Sequence, residues 1–75
     1  MKVLILGAGQ VGRSAAYHLA REPDNEVTVV DANEAVLRDL SARIDVRTVA
    51  GNASYPPVLE AAGIADTDML VALTS

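Results

Sequence analysis

The sequence has no cysteine, phenylalanine or tryptophan, and it contains a single histidine. Without cysteine it can form neither a disulfide nor a thiolate nucleophile, and one histidine cannot assemble a metal site alone. Because aromatic residues make up only 3% of a chain that is 51% hydrophobic, its apolar content is almost entirely aliphatic. This composition is typical of the aliphatic layers of an α/β protein.

Runs of basic residues and long apolar segments are also missing. Six lysines and arginines are scattered among ten acidic residues, giving a net charge of −4, which disfavours binding to nucleic acid or to an anionic membrane. The first apolar run, Val3–Leu6, is too short for a signal peptide or a membrane span. We therefore expect a cytoplasmic protein, with residues 1–75 forming one partial domain.

Four segments have the composition of strands. Val3–Leu6 and Met69–Leu73 are continuously aliphatic, as expected of central strands in a parallel sheet. Glu26–Asp31 is also strand-like, and Asp45–Gly51 alternates in the manner of an edge strand.

Helical patterns separate these strands. After the first strand, Val11, Ala15 and Leu19 recur at a helical spacing. A second helix lies within residues 32–44, with Asn33 as its N-cap. Its apolar stripe consists of Val36 or Leu37, Leu40 and Ile44.

A third, short helix is predicted over Tyr55–Gly63. Ser54 is its predicted N-cap, because two prolines follow that only a first helical turn tolerates, and Gly63 suits its C-terminal end. The resulting order β-α-β-α-β-α-β, with right-handed crossovers, predicts the first part of a Rossmann-like, doubly wound parallel sheet with strand order 3-2-1-4.

One motif carries chemistry. Gly7, Gly9 and Gly12 form G-x-G-x-x-G between the first strand and the first helix, where backbone amides at the helix start can bind a phosphate. Asp31 ends the second strand 19 residues after Gly12 and can accept hydrogen bonds from an adenosine ribose. Its charge would repel a 2′-phosphate, so NAD is expected over NADP.

Other nucleotide-binding classes fit less well. No G-K-[ST] follows the glycines, and the first strand ends without the acidic residue usual in methyltransferases, although FAD is not excluded. His18, Ser14 and Ser41 have no evident catalytic partner, so the residues give no support for nucleophilic catalysis.

The sequence resembles the TrkA-type N-terminal domain, also called the RCK or KTN domain, of potassium-transport regulators. The matching stretches are ILGAGQVG, VTVVD and DVRTVAGNASYPPVLEAAGIADTDMLVALTS, which together extend over essentially the whole chain. The third stretch is the most specific, because a generic dehydrogenase has no need of it.

The resemblance implies a non-catalytic cytoplasmic regulator, peripheral at the inner face of the membrane, that binds NAD or NADH, or in relatives ATP and ADP. It also implies that this regulator acts on a membrane potassium transporter subunit. It places the phosphate turn at residues 7–12 and the ribose acid at Asp31. Asn52 and Ala53 would lie near the adenine, and Thr74 near the phosphates or the second ribose. Asn52 stands where the family often has an acidic residue. The phosphate turn comprises Gly7, Ala8, Gly9, Gln10, Val11 and Gly12.

Two other functions remain open: the cofactor-binding half of an NAD-dependent oxidoreductase similar to saccharopine dehydrogenase, and a remnant that only associates with a partner. Since the family domain continues beyond residue 75, we expect weak binding of AMP-containing ligands with little discrimination between NAD and NADH. We also expect an unpaired apolar edge at the last strand, and homo-oligomer formation through that edge or through RCK-type contacts.

Overall fold

A computed structural model describes residues 1–72 of the chain. All strands run parallel and their order is β3-β2-β1-β4, which confirms the predicted Rossmann-like topology. The elements are β1 (Lys2–Leu6), α1 (Gln10–Ala20), β2 (Glu26–Asp31), α2 (Glu34–Arg43), β3 (Arg47–Ala50), α3 (Pro56–Ala61), a 3-10 turn (Ile64–Asp66) and β4 (Met69–Ala72).

The core lies on both faces of β1 and β2, and alternate residues of these strands point to opposite faces. One face packs against α1 and α2, and the other packs against the region of α3. The first cluster contains Val3, Ile5, Ala8, Ala16, Val27, Val29, Leu37 and Leu40, and the second contains Leu4, Val30 and Ala62. The continuous aliphatic run Val3–Leu6 predicted this position for β1, because strands covered on both faces carry no polar alternation.

Helix α1 corrects one sequence expectation. The repeat of Val11, Ala15 and Leu19 predicts one apolar stripe, but the Val11 side chain is 65% exposed. The buried side of α1 instead follows Gly12, Ala15, Ala16 and Leu19, a spacing of three and four residues. Because glycine has no side chain, α1 lies close to the sheet at Gly12, and Val11 is turned outward at the start of the helix.

Helix α2 begins as predicted. The Asn33 side chain accepts hydrogen bonds from the amides of Ala35 at 3.0 Å and Val36 at 3.3 Å. Leu37 and Leu40 are buried on its inner side, with Val36 and Ile44 partly buried beside them.

Helix α3 corrects a second expectation. Its N-cap is Tyr55, which makes no side-chain capping bond, and not Ser54. The Ser54 hydroxyl donates instead to Asn52 Oδ1 at 2.6 Å, so the group that would have capped α3 is bound within the preceding loop. Gly63 adopts a left-handed conformation with φ of 84° just after the helix, as predicted.

The edge strands are short. β3 covers only Arg47–Ala50 rather than Asp45–Gly51, because Val46 N donates to Ile44 O in a tight turn before the strand begins. At the opposite edge, β4 pairs only with β1 among the described residues, and Met69 and Leu70 are 40% and 50% exposed. No helix within residues 1–72 is long and apolar enough to cross a membrane.

Candidate functional site

The candidate site lies at the carboxyl ends of the strands, which meet at one edge because the sheet is parallel. Three loops follow β1, β2 and β3 there, at residues 7–9, 32–33 and 51–55. This edge is where ligands bind in open α/β sheets. Thr74, the predicted residue after β4, lies outside the described residues.

The glycine turn begins with Gly7. Its φ of 109° is one that residues with a side chain rarely adopt, and its amide donates to Val30 O at 2.8 Å. This bond extends the pairing of β1 and β2 by one residue, so the turn leaves the sheet immediately beside Asp31.

Asp31 contacts the glycine turn directly. Its Oδ2 accepts a hydrogen bond from Ala8 N at 2.7 Å, and its Oδ1 accepts one from Asn33 N at 2.8 Å. The residue is half-buried. The structure therefore brings together the predicted phosphate turn and the predicted ribose acid. The sequence did not predict the hydrogen bond from Ala8 N to Asp31. The bond from Asn33 N to Asp31 does have a recognisable sequence signal, which is D-x-N before a helix.

Helix α1 starts without a side-chain cap. Gly9 is its N-cap, and the first turn, which includes the exposed Gln10 and Val11, carries no acidic side chain. Helix geometry leaves the amides of this turn without partners inside the helix, and its dipole favours an anion there. A Cβ added to Gly9 would have no atom within 4 Å, so there is open space beside the amides. These residues fit a phosphate group.

The loop after β3 contains Asn52 and Ala53. Asn52 Oδ1 accepts from Ser54 N at 2.9 Å and from the Ser54 hydroxyl, which commits the amide oxygen to the loop. The Asn52 side-chain NH₂ is a donor that a ligand can use. Ala53 is half-buried and packs against the second core cluster.

Gly51 is a structural requirement of this loop that the sequence analysis did not single out. Its amide donates to Asp31 O at 3.0 Å, which joins the loop to β2. A Cβ at Gly51 would lie 2.7 Å from Val58 Cγ2. Helix α3 can therefore approach the loop only because residue 51 is glycine.

Other polar groups lie away from this edge. Asp39 accepts a hydrogen bond from the Arg43 guanidinium near the C-terminal end of α2. This bond and the negative charge of Asp39 raise the pKa of Arg43, and the nearby Tyr17 raises it further. A hollow of about 400 Å³ at the amino ends of the strands has a lining of mixed charge that includes Lys2 and Glu26. No group of three or more histidine and acidic side chains within residues 1–72 could hold a metal ion.

The turn before β4 also lies at the amino ends of the strands. Asp68 Oδ2 accepts a hydrogen bond from Lys2 N at 2.7 Å, so this carboxylate stabilises the start of β1. Asp66 lies in the 3-10 turn.

The comparison with protein families decides the assignment that the motifs indicated. The family model described as the TrkA-N domain matches residues 3–75, nearly the whole chain. The chain belongs to the TrkA-N domain family. The resemblance seen in the sequence is thus confirmed, and the glycine turn, Asp31 and the loop after β3 all lie within the TrkA-N match.

Curated relatives of this TrkA-N chain carry closely similar names. The Trk system potassium uptake protein TrkA of Halomonas elongata is 59% identical over 75 residues, which are 100% of this chain and 16% of the relative. The protein of the same name from Vibrio alginolyticus is 52% identical with the same coverage. A TrkA homolog from Archaeoglobus fulgidus is 34% identical over 99% of the chain and 16% of the relative. The chain thus spans about a sixth of the length of these relatives.

Proposed function

We propose that this TrkA-N chain is a non-catalytic, nucleotide-binding regulatory domain of a potassium uptake system. Its ligand is NAD or NADH, or an adenine nucleotide such as AMP, ADP or ATP. The observation that carries the proposal is the 2.7 Å hydrogen bond between Ala8 N and Asp31 Oδ2, because it brings an anion-binding turn and a ribose-binding carboxylate side by side.

The AMP part of the ligand accounts for the groups at this edge. The phosphate lies beside Gly9 and the first amides of α1, where there is open space. The ribose hydroxyls donate to Asp31, whose two carboxylate oxygens have lone pairs beyond those used by the two backbone amides. Asn52 and Ala53 are the proposed adenine neighbours. Asp31 also disfavours a 2′-phosphate by charge repulsion, so NADP binds less well than NAD.

Regulation follows if the ligand has different affinities for two arrangements of the assembly. The names of the relatives support a potassium uptake system as the setting. We propose a membrane potassium transporter subunit as the partner, and a cytoplasmic location at the inner face of the membrane. Residues 1–75 form the first part of the NAD-binding domain in this proposal.

A thermal-shift panel tests ligand binding. We expect AMP, ATP, NAD and NADH to raise the melting temperature, because a ligand that binds only the native state stabilises it. NADP should raise it less, because the Asp31 carboxylate repels its 2′-phosphate. Calorimetry on the same ligands then gives the affinities. The absence of any response to all five ligands would overturn the proposal.

A pair of variants locates the binding. Gly9→Ala places a methyl group in the open space beside the amides, so we expect it to abolish the shift produced by AMP. Ser14→Ala is the matched control, since Ser14 is exposed on the same helix and outside the proposed site. A Gly9→Ala variant that is folded and still responds fully to AMP would place the phosphate elsewhere.

A further inference from the structure

Asp31 is bonded to all three loops at the carboxyl edge. Its carboxylate accepts from Ala8 N in the loop after β1 and from Asn33 N in the loop after β2. Its backbone oxygen accepts from Gly51 N in the loop after β3 at 3.0 Å. These bonds join the three loops to one another through Asp31, in addition to any contact that Asp31 makes with a ligand.

We propose that Asp31 is a positioning residue that fixes the starts of α1 and α2 relative to each other. We call the two hydrogen bonds from Ala8 N and Asn33 N to its carboxylate the Asp31 clamp. Through it Asp31 sets the orientation of the phosphate-binding amides, in addition to its proposed contact with the ribose.

The neighbours of the two donors explain how the clamp acts. Ala8 is buried in the core cluster below the turn and directly precedes Gly9, so holding its amide restricts the N-cap of α1. Asn33 caps α2 with its side chain while its own amide donates to Asp31. Hydrogen bonds to an ionised acceptor are about twice as strong as neutral ones, which suits a clamp of only two bonds.

Charge alone makes the opposite prediction for anion binding. A carboxylate beside a phosphate site repels the phosphate, so its removal should strengthen binding of an anion that has no ribose. If Asp31 orients the amides, its removal should weaken the same binding. The two roles therefore predict opposite changes in anion affinity when the Asp31 carboxylate is removed. Inorganic pyrophosphate, which has no ribose, distinguishes them.

Amide hydrogen exchange in the ligand-free protein tests the clamp directly. The Ala8 and Asn33 amides donate to different oxygens of Asp31, and in Asp31→Asn one of these oxygens is replaced by an NH₂ group, which donates and cannot accept, so one of the two amides loses its acceptor. We expect exchange at Ala8 or Asn33 to accelerate by about tenfold or more, as for the loss of a hydrogen bond to a charged group. Unchanged protection of both amides in the folded variant would overturn the proposal.

Two further variants complete the exchange experiment. Asn33→Ala removes the cap of α2 but leaves the clamp, so only Ala35 and Val36 should exchange faster. Asp31→Glu keeps the charge but displaces the carboxylate by one methylene, and we expect faster exchange at Ala8. If Asp31→Asn does not fold, the exchange rate of Ala8 in Asp31→Glu tests the proposal in its place, and unchanged protection would overturn it.

The pyrophosphate measurement rests on the proposed function, whereas the exchange measurement does not. We expect Asp31→Asn to bind pyrophosphate several-fold more weakly than the unaltered protein, and Asn33→Ala to bind it equally well. Equal or tighter binding by Asp31→Asn, with weaker binding of AMP, would reduce Asp31 to a ribose contact and overturn the clamp. If the unaltered protein binds neither ligand, the proposed function fails and the exchange rates alone decide the clamp.

Discussion

At the scale of single residues, the glycines of the carboxyl edge serve different needs. Gly7 supplies a backbone conformation, with φ of 109°, whereas Gly51, with φ of 157°, supplies both a conformation and space for Val58. Gly9 is needed for neither within the described residues, because its φ is −70° and a Cβ there would meet no atom within 4 Å. In the proposed function, this open space receives the phosphate of the ligand.

Gly51→Ala should destabilise the protein. The added Cβ would overlap Val58 Cγ2, and the stiff β-branched side chain has to shift, at a cost of about 1–3 kcal/mol. Urea unfolding measures this loss. Gly9→Ala is the comparison and should lose at most about 1 kcal/mol, since only the quality of the helix cap changes. Equal losses for both variants would contradict the steric argument.

The spacing in the sequence predicts the glycine turn and Asp31 as site residues, whereas Asn52, Ala53 and Thr74 follow only from the family resemblance. The spacing does not predict the contacts that these residues make within the chain. Asp31 was expected to bind ribose, because an acid about 20 residues after the glycines is a known pattern. Its bond to Ala8 N depends on how closely the turn returns to β2, which no spacing rule gives. The Gly51 contact likewise depends on the packing of α3, which is a tertiary property.

At the scale of elements, the three helices begin in three different ways. Asn33 caps α2 with its side chain, Gly9 leaves α1 uncapped, and α3 starts at Tyr55 with prolines in its first turn. The sequence predicted both Asn33 and Ser54 as N-caps, because both are good capping residues. The prediction is correct for Asn33 and wrong for Ser54. Asn52 decided the outcome by accepting the Ser54 hydroxyl within the loop.

Asn33→Ala should therefore destabilise α2, by about 1 kcal/mol, because the amides of Ala35 and Val36 lose their acceptor. Thermal or urea unfolding checks the value. Ser54→Ala is the matched control: it removes an exposed bond and no helix cap, so its effect should stay within about 0.5 kcal/mol. A larger loss for Ser54→Ala than for Asn33→Ala would reverse this assignment of the caps.

At the scale of the whole molecule, the strand order was predictable because right-handed crossovers leave few arrangements of alternating strands and helices. The sequence also predicted the apolar edge at β4, where Leu70 lies beside Leu4 of β1 and is 50% exposed. The shortening of β3 was not predictable, since the turn at Ile44 and Val46 depends on how α2 ends.

We propose that the protein self-associates through β4, and Leu70→Lys should then weaken this association. Long apolar edges promote strand pairing between molecules, and a lysine at the edge opposes it. Sedimentation velocity over a range of concentrations measures the change. Val11→Lys is the matched control, because Val11 is 65% exposed but lies on α1. A protein that is monomeric at every concentration before any substitution would count against the role of β4.

The register of the sheet places Arg47, Thr28, Leu4 and Leu70 in one row from edge to edge. The row thus ends in a cation on one side and in an aliphatic side chain on the other. Two β3 edges would bring like charges together, which destabilises strand pairing, while two β4 edges would bury apolar surface. Among the described residues, the β3 edge therefore opposes pairing with a second copy of itself, whereas the β4 edge does not.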